Sequence, residues 1–195
     1  MSLPEDEAGL TPVSELFTYH IFGTPRGLDR WQEDIDTYRL SIKGLVSEPV
    51  TLSVSQVRED YEAVSSDMVI QCMTNVHWGR IHFTGARLLE VLEGVGLKDE
   101  ATKLAIHGAD GFDSDIWLEQ LRQTPDAYLL AYEMNGEPIP PDHGFPLRVT
   151  ADGRYGYKWC KWLEEIEVVD YDYKGHYEGK RRWSDDAERG TRVTP

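Results

Sequence analysis

The sequence predicts an α+β fold built on mixed or antiparallel sheets with short helices. Segments with the strand pattern outnumber those with the helix pattern. No internal repeat is visible, and strands and helices do not alternate as a doubly wound parallel sheet requires. A chain of 195 residues suits one domain, so we expect a single domain over 1–195. Residues 1–14 would form an N-terminal extension and 174–195 a polar C-terminal tail.

The first two predicted elements are a strand and a short helix. In TYRLSIKGLV, the side chains of Tyr38, Leu40 and Ile42 share one face and alternate with polar residues, which predicts a strand. In SVSQVREDY, Ser53 and Gln56 have the spacing of a capping box, which predicts a helix start. Upstream, the apolar residues from Leu16 to Phe22 should dock on the body of the protein.

A buried strand, MVIQC, is predicted to end at Cys72 and to enter a loop containing Asn75, His77 and Gly79. The next element, GARLLEVLEGVGL, has apolar residues at helical spacing, and either Gly94 or Gly96 can end that helix in a left-handed conformation.

The second half of the chain reads mainly as strands. TKLAIHG predicts a strand and ADGFDSD a loop. AYLLAYEMNGEPIP predicts a strand that runs into an Asn135–Gly136 turn, and FPLRVTAD and LEEIEVVDYDY predict two more strands. From Lys174 the chain is polar, so we expect it to wrap the surface without a core of its own.

The charge and the termini exclude several classes. A net charge of -15 argues against nucleic-acid partners, because phosphate backbones are bound by clustered Lys and Arg. No apolar run approaches the length of a membrane span. The N-terminus carries no export signal, so we expect the protein in the cytoplasm, or in the periplasm if a signal has been trimmed. We also expect a monomer.

Cys72 has three interpretations from spacing alone. It could be a nucleophile served by His77, His82 or His143, or one ligand of a Cys72–His77–His82 metal site. It could also be a structural cysteine in the core. With Cys160 as the second cysteine, either one disulfide or two reduced thiols is compatible with the sequence.

A second cluster combines cations, glycines and aromatic residues. Gly153 and Gly156 would let backbone amides approach a ligand closely. The cationic or imidazole groups of this cluster are His143, Arg148, Arg154, Lys158 and Lys161. They predict an anion pocket, or else they pair with the surplus carboxylates.

Residues 130–169, LAYEMNGEPIPPDHGFPLRV…GRYGYKWCKWLEEIEVV, closely resemble the molybdopterin-binding domain of the sulfite oxidase family. TYRLSIKGLV resembles the first core strand of that domain, and VIQCMTN the segment with its metal-binding cysteine. FTGARLLEVLEGVGL is similar to its helix start, with Phe83 where Trp is usual. The resemblance extends over about residues 15–170 and implies the same fold.

The resemblance implies a cofactor of molybdenum and molybdopterin, a pyranopterin dithiolene. Cys72 would be the protein's molybdenum ligand, because a soft thiolate suits such a metal. His143, Arg148 and Lys161 fall where the family binds the pterin and its phosphate, and Trp159 would contribute its backbone.

Other matches are with the cofactor's surroundings. Tyr19 and His20 resemble a family segment that lies over the cofactor. Ser114 and Asp115 fall on the loop that approaches it from the other side. The resemblance does not place His77 and His82, which would either line the substrate mouth or be loop histidines, and of the two His77 is the predicted catalytic residue.

Two departures affect the predicted substrate. Phe112 stands where sulfite oxidases have a tyrosine beside the metal, and Thr18 where they have a substrate-binding arginine. We therefore expect oxygen-atom transfer at molybdenum on a small molecule, with an S-oxide or N-oxide reductase as the alternative to a sulfur-oxyanion oxidase. Electrons would come from or go to a separate partner, a haem protein or a quinone. A non-catalytic cofactor-binding module and a zinc or iron protein are the alternatives of another class.

Overall fold

The computed structural model describes residues 9–195, so the first eight residues of the predicted N-terminal extension lie outside the described range. Within it, the α-helices are α1 Leu28–Glu33, α2 Val54–Glu59, α3 Leu88–Val95 and α4 Leu118–Gln123. The strands are β1 Leu40–Gly44, β2 Val50–Leu52, β3 Ala63–Gln71, β4 Trp78–Arg87, β5 Lys103–Gly108, β6 Asp113–Trp117, β7 Leu129–Met134, β8 Glu137–Pro138, β9 Arg148–Val149 and β10 Leu163–Val169. None of the helices in 9–195 combines the length and the apolar character needed to cross a bilayer.

The strands form two sheets. The first sheet has the order β2-β1-β10-β5-β6, in which β1 and β10 are parallel and the other neighbours antiparallel. The second has the order β3-β4-β7-β8, with β9 also paired to β7, and all of its pairs are antiparallel. The predicted fold class, mixed or antiparallel sheets with short helices, is confirmed.

One apolar cluster receives side chains from both sheets and from the helices. The alternation in β1 and before it predicted its inward face, and Tyr38, Leu40 and Ile42 are completely buried. Ile42 pairs in register with Ile166 of β10, so β1 joins the strands of the second half of the chain.

Two local predictions about helix ends are confirmed. Ser53 and Gln56 form the capping box of α2, each side chain accepting from the other residue's backbone N–H. Helix α3 ends at Gly96, whose φ of 86° is left-handed, and Gly94 lies inside the helix.

The loop predicted after Cys72 ends sooner than expected, because β4 begins at Trp78. The inward positions of β4 include Gly79 and Gly85, and these glycines weaken the apolar alternation on which a strand prediction depends. A Cβ on Gly85 would lie 2.4 Å from the carbonyl oxygen of Leu130 on β7, so close pairing of the two strands requires glycine there.

The loop predicted over ADGFDSD is wrong in its second half, since β6 begins at Asp113. This strand was hidden because Ser114 and Asp115 are polar yet completely buried, with partners for their side chains inside the protein. Helix α4 was not predicted either.

The two ends of the chain pack against the body to different extents. Leu16 is buried as predicted, whereas Ile21 and Phe22 remain exposed. At the other end, Ala187 and Val193 are buried in a small second cluster with Tyr155 and Tyr157. The C-terminal tail therefore does more than wrap the surface.

Candidate functional site

A cavity of about 330 Å³ lies where the N-terminal segment, the loop after β3 and the C-terminal segment, residues 171–195, come together. The predicted site residues that line it are Tyr19, Cys72, Phe112, His143, Arg148, Trp159 and Lys161. Thr18 and Gly156 line it as well. Residues far apart in the sequence thus meet around one space.

Cys72 is held by a tight loop that its neighbours fix. Its backbone N–H donates to the carbonyl of His77 (2.8 Å), and its carbonyl accepts from the N–H of Asn75 (2.9 Å). Asn75 has a left-handed φ of 60°, and its side-chain oxygen accepts from the hydroxyl of Tyr155 (3.1 Å) and the amide of Gln71 (2.8 Å). The half-buried thiol therefore faces the cavity from a braced loop.

Cys72 and Cys160 are both free thiols, which excludes the disulfide that the sequence allowed. Cys160 is completely buried, and burial raises the pKa of its thiol far above the usual range. It therefore behaves as a buried apolar side chain, while Cys72 has access to the cavity.

Arg148 is a buried cation at the wall of the cavity. Its guanidinium donates to the carbonyls of His143 (2.9 Å) and Trp159 (3.5 Å), and its Nε has no partner. Within residues 9–195 no carboxylate forms an ion pair with it, and burial lowers its pKa to about 10. A buried guanidinium with an unfilled donor beside a cavity is suited to an anion.

Lys161 and His143 complete this end of the cavity. The Lys161 ammonium donates to the carbonyls of Tyr19 and Asp142 (3.0 Å each). Burial, and then the charge of Arg148, lowers the pKa of Lys161 to about 7. Burial, with Arg148 and Lys161 following, lowers the pKa of His143 to about 4, so its imidazole is neutral at pH 7.

The other cations of the predicted anion pocket lie elsewhere. Lys158 is buried and pairs with Asp115 (3.0 Å) and Glu178 (2.5 Å). Arg154 donates to the hydroxyl of Tyr128 at 3.4 Å. Lys158 therefore pairs with carboxylates, which was the alternative to an anion pocket.

Ser114 and Asp115 also lie outside the cavity. Ser114 donates to the carbonyl of Tyr157 (3.0 Å). Asp115 pairs with Lys103 (3.1 Å) and accepts from the backbone N–H of Gly175 (3.0 Å). It is the centre of what we call the buried ion network. The network consists of the buried residues Lys103, Asp115, Lys158 and Glu178 together with the more exposed Asp172 and Asp185 at its margin. A cofactor contact for Ser114 and Asp115 stays a prediction, which this geometry does not favour.

The predicted alternative metal site is not assembled. His77 shares a hydrogen bond with the hydroxyl of Tyr19 (2.9 Å), and His82, on β4, pairs with Asp67 (2.7 Å). Cys72, His77 and His82 therefore do not meet as one set of ligands. Across the described part of the chain, three possible ligands meet only at His107, Glu165 and Glu167.

The neighbouring residues Tyr19 and His20 have different positions relative to the cavity. Tyr19 lines the cavity, where burial and then the Cys72 sulfur raise the pKa of its phenol. His20 does not line it. Its Nε2 lies 3.1 Å from the carbonyl of Asp142, and its ring meets the edge of Trp162.

Sequence reasoning missed the contribution of the C-terminal segment to the cavity. Tyr177 and Trp183 line it, with ring centroids 4.2 Å apart and planes inclined by 11°. Tyr157 and Met73 line it beside them. The available signal was the pair of aromatic residues in an otherwise polar tail.

A family model described as "Oxidoreductase molybdopterin binding domain" matches residues 28–177, which is most of the chain. The chain belongs to the oxidoreductase molybdopterin-binding domain family. The predicted oxidoreductase class and the predicted cofactor, molybdenum with molybdopterin, are thereby confirmed.

Among its relatives, the uncharacterized oxidoreductase YuiH of Bacillus subtilis is 31% identical over 175 residues, covering 89% of this chain and 86% of YuiH. Mitochondrial sulfite oxidase of Rattus norvegicus is 29% identical over 199 residues, 88% of this chain and 35% of the relative. Nitrate reductase [NADPH] of Emericella nidulans is 29% identical over 161 residues, and the match covers 71% of this chain and 18% of that enzyme. The chain thus spans most of YuiH but only a minor part of the other two.

The fold is similar to that of a solved structure. The crystal structure of the sulfane dehydrogenase SoxCD from Paracoccus pantotrophus matches with a TM-score of 0.68 and 22% identity. The match covers 82% of this chain and 46% of that one.

The residues around the cavity fit molybdopterin. Arg148 has a buried Nε without a partner, and Lys161 lies beside it, which suits the phosphate of the cofactor. Cys72 offers a soft sulfur donor to the same space. A Cβ on Gly156, at the cavity wall, would lie 3.3 Å from the carbonyl oxygen of Gln71, so that wall has little room for a larger residue.

Proposed function

We propose that the protein is a molybdenum enzyme that transfers an oxygen atom in a two-electron reaction, with Cys72 as the protein's ligand to the metal. The carrying observation is that a braced thiol and a buried, unpaired guanidinium face one cavity. A structural cysteine and a structural arginine would not need a shared space of this size. When bound, the molybdenum and its dithiolene supply the redox chemistry and the oxygen-atom transfer.

The chain's own residues bind and orient. Arg148, fixed by two carbonyls, holds a positive charge in a dry environment where its attraction for a phosphate is strong. Lys161 adds a second charge, and the neutral His143 can form a hydrogen bond without further positive charge. The Trp159 carbonyl accepts from Arg148, and a backbone contact of Trp159 with the cofactor stays a prediction.

A reductase of neutral S-oxides or N-oxides is the second candidate. Among the residues that line the cavity, the permanent or titratable cations are Arg148, Lys161 and His143, which form the anion end. The rest of the lining is mainly uncharged, with Thr18 and Phe112 among it and Asp110 as its carboxylate. Such a lining favours a neutral substrate over a sulfur oxyanion.

The reductive reaction converts one S-oxide, two electrons and two protons into one thioether and one water. The S–O bond breaks, the oxygen leaves as water, and the sulfur gains the electron pair. A separate haem protein or a quinol would supply the electrons. The contributions of Tyr19, His20 and His77, the monomeric state, the single-domain organisation and the cytoplasmic location stay predictions.

The test uses the two cysteines as a matched pair. Protein purified from a host that makes molybdopterin should contain molybdenum and release a fluorescent pterin on denaturation. Cys72→Ser should lose the thiolate-to-molybdenum charge-transfer absorption, because a serine oxygen does not provide that transition. Cys160→Ala should keep it, since the Cys160 thiol is buried away from the cavity.

An unchanged absorption band in Cys72→Ser would remove Cys72 from the metal. Zinc or iron without pterin would contradict the molybdenum assignment. A dye-coupled assay against sulfite, S-oxides and N-oxides then separates an enzyme from a non-catalytic cofactor-binding module, since the module turns over none of them.

A further inference from the structure

The C-terminal segment contributes a stacked aromatic pair, Tyr177 and Trp183, to the wall of the cavity. The backbone N–H of Trp183 donates to the carbonyl of Tyr177 (3.2 Å), which closes the turn between them. Tyr157 packs against both rings at centroid distances of 5.7 and 5.2 Å. The pair is therefore one rigid stack of two parallel rings, which offers its outer ring face and its edges to the cavity.

The buried ion network anchors the segment that carries this pair. Glu178, next to Tyr177, pairs with the buried Lys158, and Gly175 donates to Asp115. A Cβ on Gly175 would lie 2.5 Å from the Cα of Ser114, so the segment approaches β6 as closely as a backbone can. Because these anchors are buried, the aromatic pair is held in place before any ligand arrives.

The aromatic pair lies on the Cys72 side of the cavity. Met73, the residue after Cys72, packs in the same small cluster as both rings. Burial and then the Cys72 sulfur raise the pKa of the Tyr177 phenol, which places that phenol within electrostatic range of the sulfur. The ring centroids of Phe112 and Tyr177 lie 6.1 Å apart. This side differs from the anion end, where Arg148 and Lys161 donate to backbone carbonyls.

Trp183 lies beyond residue 177, where the family match ends. Its indole gives the cavity an uncharged aromatic lining, which suits an organic substituent better than the phosphate of the cofactor. Flat apolar groups pack well on aromatic faces, while small aliphatic groups gain less contact area.

We propose, resting on the function proposed above, that Tyr177 and Trp183 form the substrate-facing wall and select organic S-oxides or N-oxides with a flat aromatic substituent over small aliphatic ones. The substituent packs on the aromatic pair while the oxide points to the neighbouring Cys72. The reaction is the reduction balanced above, with its electrons from a haem protein or a quinol.

The test compares methyl phenyl sulfoxide with dimethyl sulfoxide, using reduced methyl viologen as donor and rates normalised to molybdenum content. For methyl phenyl sulfoxide, Trp183→Leu should raise KM about tenfold or more, because it removes the stacking face. The KM for dimethyl sulfoxide and kcat for both should change less than about twofold. Trp183→Phe, which retains a ring, should keep most of the preference. Tyr171→Ala, in the same segment but exposed and away from the cavity, is the matched control and should change neither KM.

A binding measurement makes the result independent of turnover. Methyl phenyl sulfone should bind the molybdenum-loaded protein about tenfold more tightly than dimethyl sulfone in calorimetry, and Trp183→Leu should abolish that difference. Equal affinity of the wild type for the two sulfones, or an unchanged difference in Trp183→Leu, would overturn the proposed wall. Wild-type protein that prefers the aromatic sulfone but reduces no sulfoxide would contradict only the reductase direction.

Discussion

Two groups of buried cations in this protein have opposite surroundings. In the buried ion network, Lys103 and Lys158 are enclosed by carboxylates, with Asp115 shared between them. At the cavity, Arg148 has carbonyl partners and an Nε without any, and no carboxylate neutralises it within residues 9–195. Burying a charge is costly unless it is compensated. The first group is compensated by the protein itself, and the second is suited to compensation by an anionic ligand.

The comparison explains why the cation-rich sequence around 143–161 could not be resolved beforehand. Lys158 and Lys161 are three residues apart and chemically identical, yet one anchors the C-terminal segment and the other faces the cavity. The positions of Asp115 and Glu178, both distant in sequence from Lys158, separate the two roles.

The largest effect should come from breaking the buried ion network. Asp115→Asn keeps the shape of the side chain but leaves Lys103 and Lys158 with less compensation. We expect the free energy of unfolding to fall by about 3–5 kcal/mol, measured by urea titration of protein made without cofactor. A loss of cofactor binding without a loss of stability would instead support the predicted role of Asp115 in cofactor binding.

Removing the Arg148 guanidinium should have the opposite effect, with little change in stability and a large loss of anion affinity. For Arg148→Met, the lost hydrogen bonds and the relieved burial of charge oppose each other, so the free energy of unfolding should change by less than about 2 kcal/mol. Affinity for sulfate, a probe for the phosphate of the cofactor, should fall about tenfold to a hundredfold in calorimetry. Unchanged sulfate affinity would show that Arg148 does not serve an anion.

Lys161 should make anion binding depend on pH. Burial lowers the pKa of Lys161 to about 7, so its side chain is mainly protonated at pH 6 and mainly neutral at pH 8. Arg148, with a pKa of about 10, and His143, with one of about 4, keep their charge states across this range. Sulfate remains a dianion, so its affinity should fall about tenfold from pH 6 to pH 8.

The matched variant for this experiment is Lys161→Arg, whose charge does not titrate in the range. It should bind sulfate with nearly the same affinity at pH 6 and pH 8. If the wild type behaves in the same way, Lys161 is not the titrating group at the anion end.

The smallest effect should come from an exposed ion pair. Lys43 lies 2.9 Å from Glu165, but both side chains are partly open to solvent. Lys43→Met should leave the urea midpoint unchanged within error, because solvent screens such pairs. A large shift there would mean that ion pairing itself, rather than burial, distinguishes Asp115.

The sequence by itself determined the local features, because they depend on neighbours along the chain. The alternation around Leu40, the capping box of α2 and the Asn135–Gly136 turn all appear where the pattern predicts them. The resemblance of residues 130–169 also identified the family before any coordinates, and with it Cys72, Arg148 and Lys161, which line one cavity.

The tertiary structure decided which charges are compensated and which side chains share a space. Strands β4 and β6 were not predicted, because glycines in β4 and buried polar residues in β6 replace the usual apolar pattern. The aromatic pair reaches the cavity on a segment that is anchored at Gly175 by Asp115, some sixty residues earlier on β6, and at Glu178 by Lys158. Burial and pairing depend on contacts between distant segments, which the order of residues alone does not specify.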